Sequence, residues 1–157
     1  MLSAQSNLAI TYRAVGRDEQ ALRLRREVYS GYLKLLGEEH PKTLTVANNY
    51  AHCLLELRHF EEAKPLLRKT IPAARRVLRD SNDLTIMMRS IYANSLSGDP
   101  AATLHDLREA LNMLGELERT SRRVLGGAHP LTLAIERDLR DARAALAARK
   151  TRPQSSP

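Results

Sequence analysis

One segment of this 157-residue chain is written twice, about 42 residues apart. Asn7-Leu8-Ala9 returns as Asn49-Tyr50-Ala51, and the same offset pairs Tyr12 with Leu54, Gly16 with Arg58, Glu19 with Glu61 and Ala21 with Ala63. A third, weaker copy continues through Tyr92-Ala93 and Leu96. Beyond it, the run Leu36-Gly37-Glu38-Glu39-His40-Pro41-Lys42-Thr43-Leu44 comes back as Leu125-Gly126-Gly127-Ala128-His129-Pro130-Leu131-Thr132-Leu133. A period of this length limits the chain to stacked supersecondary units, each unable to bury its apolar side alone.

The unit reads as two helices. Gly37 and Gly126 suit the left-handed position just past a helix end, and Pro41 and Pro130 suit the first turn of the next helix. Ala9, Ala51 and Ala93 allow close approach to a partner helix that offers Ala21 and Ala63. Leu8, Tyr12, Tyr50, Leu54, Tyr92 and Leu96 fill the space around them at helical spacing. The apolar residues are mainly Leu, Ala and Val, with aromatics at 4% and no Trp, which favours helices over a sheet.

The expected fold is all-α: a right-handed α-α superhelix of about three helix hairpins plus a C-terminal capping helix. Helices are expected near residues 2–15, 18–36, 42–57, 60–79, 83–97, 101–125 and 130–149. The repeats span about 1–41, 42–82 and 83–129, the cap 130–149, and 151–157 form a disordered tail. Pro72, interior to its helix, removes a bond to Arg68 and should bend the helix near 68–72, at about 3 kcal/mol. The middle junction, Arg79-Asp80-Ser81-Asn82-Asp83-Leu84-Thr85, keeps the Thr but loses Gly, His and Pro, so the stack is expected to be irregular there.

These residues resemble the tetratricopeptide repeat in its longer, kinesin-light-chain-like variety. The Leu-Gly-x-x-His-Pro-x-Thr-Leu junctions, the Asn-Leu-Ala and Asn-Tyr-Ala helix starts and the run Glu62–Leu67 carry the resemblance, over roughly residues 2–146. It implies a scaffold for a protein or peptide partner; a non-enzymatic role is expected because no catalytic motif is written in the chain, and a cytoplasmic setting because no signal or membrane pattern is. High arginine usage adds the expectation of a bacterial source with a GC-rich genome. The family's clamp for C-terminal carboxylates is not reproduced, since its basic positions are Ser6, Met87 and Ile91 here. An internal peptide segment is the better ligand.

The stripe of each first helix that faces away from its partner should line the groove. It contains Ser6, Asn7, Ile10 and Arg13; then Thr45, Asn48, Asn49, His52 and Glu56; then Met87, Ser90, Ile91, Asn94 and Ser97. Asn7, Arg13, Thr45, Asn48, Asn49, His52, Ser90 and Asn94 are the candidate peptide contacts, because amides can pair with both N–H and C=O of an extended chain. By resemblance Asn49 matches a ligand-contacting asparagine. The alternative is that these asparagines only tie one hairpin to the next.

No nucleotide-binding glycine loop, helical His pair or multi-thiolate set is written in the sequence, and no cofactor or metal is expected. His40 and His129 read as helix caps. Cys53 reads as a buried thiol, and the adjacent His52 points about 100° away from it on a helix. Nothing in the pattern predicts a membrane span or a signal segment. The net charge of +7 permits a nucleic-acid partner, yet the Arg triplets at 75/76/79 and 119/122/123 read as solvated helix faces.

By the same register Met1-Leu2 stand where Thr43-Leu44 stand. The chain is therefore expected to begin inside a repeat, as the C-terminal piece of a longer repeat protein. The resemblance implies one form of this, the sensor or regulatory arm of a larger signalling protein such as a STAND-type ATPase. A short reading frame with a naked first helix, open to end-to-end self-association, is the alternative. At the other end Arg140 and Arg143 occupy packing positions, as a capping helix would allow.

Overall fold

The structure, a computed structural model, describes residues 1–151. It contains seven helices: α1 Leu2–Ala14, α2 Asp18–Leu36, α3 Pro41–Glu56, α4 Phe60–Leu78, α5 Asp83–Ser97, α6 Leu104–Val124 and α7 Pro130–Thr151. Each packs against its neighbours in sequence, the pattern of a hairpin solenoid. The cap helix runs to Thr151, two residues past its expected end, and the rest of the expected tail, 152–157, lies outside the described residues.

The junctions repeat in detail. Nδ1 of His40 accepts from the Lys42 N–H at 3.1 Å, and Nδ1 of His129 accepts from the Leu131 N–H at 3.1 Å. Each caps a helix that opens on proline. The middle junction keeps the local geometry of the other two although its residues differ. Asn82, one register below His40, accepts the Leu84 N–H through its side chain at 2.9 Å, with nearly the same backbone (φ −75°, ψ 139° against −72°, 134°). Arg79 holds φ 72° and ψ 164° where Gly37 holds 83° and 172°. The conformation survives although Gly, His and Pro are gone, with Asn82 supplying the cap. The start of α6 is set by a capping box: Thr103 Oγ1 accepts from the Asp106 N–H, and the Asp106 carboxylate accepts from the Thr103 N–H. It places that start three residues later than expected.

Ala9, Ala21, Ala51, Ala63, Ala93 and Ala110 are fully buried, so backbones approach closely at the same place in each hairpin. Around them Leu54, Leu67, Ile86, Leu96, Leu114, Leu117 and Ile135 form one continuous core, each side chain contributing about 1.5–3 kcal/mol. The junction threonines Thr43, Thr85 and Thr132 are buried as well. Helix α4 passes through Pro65 and Pro72 as one element. Lys64 of α4 reaches the loop after α5, with Nζ 2.6 Å from Asp99, which anchors the stretched connection of the third repeat.

The first hairpin departs from this plan. Leu8, expected in the core, is 42% exposed, and Ala9 is the one buried residue of α1. Among the described helices α1 packs on α2 alone. With no helix on its other flank, the positions equivalent to Tyr50 and Leu54 lack a surface to bury against.

Candidate functional site

Helix α3 packs against α5 as well as its own partner, and α5 packs against α7. The second helices behave differently: among the described residues, α2, α4 and α6 do not approach one another this closely. Helices that touch along one layer and spread along the other bend the stack toward the touching layer. Helices α3, α5 and α7 therefore line the inner face.

At the α5–α7 end the candidate stripe is occupied by the protein itself. Asn94 donates Nδ2–H to the Asp138 carboxylate at 2.7 Å, and the Ser90 hydroxyl donates to the same oxygen at 3.4 Å. Ser90 and Ile91 are buried, while Met87 is half-buried. Asp138 of α7 thus gathers two of the expected peptide contacts into a link between repeats. What remains is a cleft of 210 Å³ beside Asn94, Ser97, Asp138 and Asp141.

The α1–α3 end is more open. Asn7, Ile10, Thr45 and His52 are exposed, and Ser6 and Asn49 are half-buried. Among the described residues the side chains of Asn7 and Asn49 make no hydrogen bond, so both amides are free to donate and accept. Arg13 is engaged: its guanidinium lies 3.0 Å from Asp18 and 2.7 Å from Glu56, tying α1 to α3. His52 Nδ1 stands 3.3 Å from the same Glu56 carboxylate. The Thr45 hydroxyl donates to the Pro41 carbonyl at 3.0 Å. Asn48 is the residue the stripe misplaced. It is buried, 8% exposed, and its Oδ1 finds no hydrogen-bond partner among the described residues. Asn48 and Asn49 are adjacent, about 100° apart on the helix, and the packing of α5 on α3 turns the first of them inward.

Two contacts were not anticipated. Nε of Arg26 donates to the Tyr50 hydroxyl at 2.9 Å, and one repeat later Nε of Arg68 donates to the Tyr92 hydroxyl at 2.9 Å. The 42-residue offset contained the signal, because both members recur together. Burial raises the Tyr50 pKa from its usual value, while the bond to Arg26 works against that rise. Each bond fastens a second helix to the first helix of the next hairpin. Burial likewise pushes the Cys53 thiol up, which leaves it a packed, inert group. Among the described residues no cluster of His, Cys, Asp or Glu could hold a metal ion, and no helix is long and apolar enough to cross a membrane.

A family model for the tetratricopeptide repeat matches residues 1–76. No curated protein matches the chain. Among solved structures, the nearly identical TPR-like repeats described as those of a putative kinesin light chain from Podosopora anserina are similar in fold. A single-substitution form of those repeats superposes with a TM-score of 0.75 at 24% identity, covering 95% of this chain and 68% of that one. The parent form gives 0.73 at the same identity and coverage. BtubC (BKLC) from P. vanneervenii superposes with a TM-score of 0.59 at 18% identity, over 99% of this chain and 66% of that one.

Proposed function

We propose, for a chain whose residues 1–76 are tetratricopeptide repeat and whose described residues share the fold of kinesin-light-chain-type repeats, a role as a non-enzymatic scaffold that holds an extended peptide segment of a partner protein. Repeats of this family are in general protein–protein interaction scaffolds. The segment lies on the inner face along α1 and α3, with Asn49 and Asn7 pairing to its backbone and Thr45 and His52 beside them. Arg13 sets the floor of this stretch through Glu56. Asn94 and Ser90 link repeats through Asp138 instead, and Asn48 is buried. The observation that carries the reading is the contrast between the two ends: Asp138 closes α5–α7, while the amides of Asn7 and Asn49 stay unpartnered on α1–α3.

An extended 12-residue peptide selected from a displayed library should bind with micromolar affinity. Asn49→Ala should weaken it about fivefold, the worth of one lost amide pairing, with helicity unchanged. Unchanged affinity in that variant would remove the assignment. A reducing, cytoplasmic setting suits the single buried thiol. Self-association through α1 is a second reading, favoured by the exposure of Leu8 and Ile10 on its surface.

A further inference from the structure

Members of two arginine triplets that are far apart in sequence meet at one cleft. The end of α4, the α4–α5 junction, the buried side of α5 and the last turns of α6 enclose an open cleft of 720 Å³. Arg75, Arg79, Arg89, Arg119 and Arg123 line it. Two of the five are neutralised by the carboxylates present. Arg75 lies 2.6 Å from Asp80, and Arg89 lies 2.9 Å from Glu116 and 3.9 Å from Asp80. Among the described residues Arg79, Arg119 and Arg123 have no carboxylate within 4 Å. Arg119 and Arg123 are four residues apart and so share one face of α6.

Arg79 adds an independent observation. Its φ of 72° and ψ of 164° fall in a region of backbone space used almost only by glycine. The equivalent junction residues are Gly37 and Gly126, both at positive φ. A guanidinium therefore stands where the fold asks for no side chain at all, and it stands at the mouth of a cleft already rich in positive charge.

We propose that this cleft is a second docking site, separate from the inner groove, which takes an acid-rich segment of a partner protein through the guanidinium groups of Arg79, Arg119 and Arg123. Arginine forks match carboxylates in pairs, and three free forks on two elements suit a segment with several carboxylates better than one small anion. The surroundings disfavour a nucleic-acid track. The flanking arginines are spent, Arg76 on Glu39 and Arg122 on Glu118 and Glu136.

The test measures binding to the full chain by fluorescence anisotropy, using a labelled 12-residue peptide of alternating Glu and Ser and its Gln-for-Glu counterpart. The Glu peptide should bind and weaken steeply with salt, and the Gln peptide should not bind. Arg79→Gly should lower affinity about threefold while raising the melting temperature. That opposition separates loss of a contact from loss of the fold. Adding Arg119→Ala and Arg123→Ala should bring the loss to about thirtyfold, whereas Arg76→Ala should change little. Equal binding of the two peptides, undiminished binding by the triple variant, or tighter binding of a random 20-base-pair duplex with the same arginine dependence would each overturn the proposal.

Discussion

Replacing Asp99 by asparagine should loosen the contact that anchors the stretched loop of the third repeat. Lys64 Nζ lies 2.6 Å from Asp99 and 2.8 Å from Glu61, and the Lys64 and Asp99 side chains are only 15% and 10% exposed. The second Asp99 oxygen accepts from the Ala101 N–H at 2.8 Å. Lys64, and after it the Ala101 N–H, hold the Asp99 carboxyl below its ordinary value. Hydrogen bonds to Asp99 and Glu61 outweigh desolvation to raise Lys64. Asparagine keeps the shape and the bond from Ala101 but removes the charge. A surface pair would contribute less than 1 kcal/mol, and breaking a fully buried pair costs 3–5 kcal/mol. With Glu61 still holding Lys64, the cost should be about 2 kcal/mol, or about 4–8 °C in melting temperature.

The sign of the pH dependence follows from these directions. A carboxyl lowered on folding contributes stability at neutral pH that disappears as pH falls through its lowered value. The gap between wild type and Asp99→Asn should therefore be full at pH 7 and shrink as pH falls below the ordinary aspartate range near about 4. The Lys64 contribution, from a raised pKa, fades only as pH rises past the ordinary lysine range. Urea unfolding followed by circular dichroism from pH 7 to pH 2 measures the gap. A difference below about 0.5 kcal/mol at pH 7, or one that widens as the solution is acidified, would refute the reasoning.

Three further outcomes are expected. Arg26→Ala and Arg68→Ala should each cost about 1 kcal/mol in denaturant unfolding, and a near-zero effect would show that the bonds to Tyr50 and Tyr92 are incidental. Asn48→Leu should raise stability by about 1 kcal/mol, because it removes a buried carbonyl without a partner; a lower melting temperature would contradict that. The amides of α1 should exchange with deuterium faster than those of α3 and α5, since α1 buries one residue and packs on α2 alone. Equal protection would argue that another copy covers α1, and sedimentation velocity would then show a dimer.

Much of the architecture was legible in the 42-residue offset, because it records local requirements that recur. The buried alanines, the junction threonines and the histidine caps all sit where the repeat placed them. At the middle junction the identities change while the local backbone does not. Asn82 performs the cap of His40, and Arg79 tolerates the conformation of Gly37. The candidate site was less legible, since helical periodicity assigns a face only to within about one residue. That uncertainty separates Asn48, turned under α5, from Asn49 beside it. The role of Asp138 was hidden for another reason: it depends on α7, 44 residues from Asn94. The arginine triplets showed the same limit. Arg76 and Arg122 find carboxylates 37 and 14 residues away, and only the folded arrangement separates them from Arg79, Arg119 and Arg123.

The groove assignment is tested most directly by site-specific photocrosslinking to the selected 12-residue peptide. One crosslinking residue replaces His52 on the inner face of α3, and another replaces Arg23 on the exposed side of α2. Capture of the peptide from position 52 and not from position 23 is the predicted result. Capture from position 23 alone, with none from position 52, would contradict an inner-face site along α1 and α3.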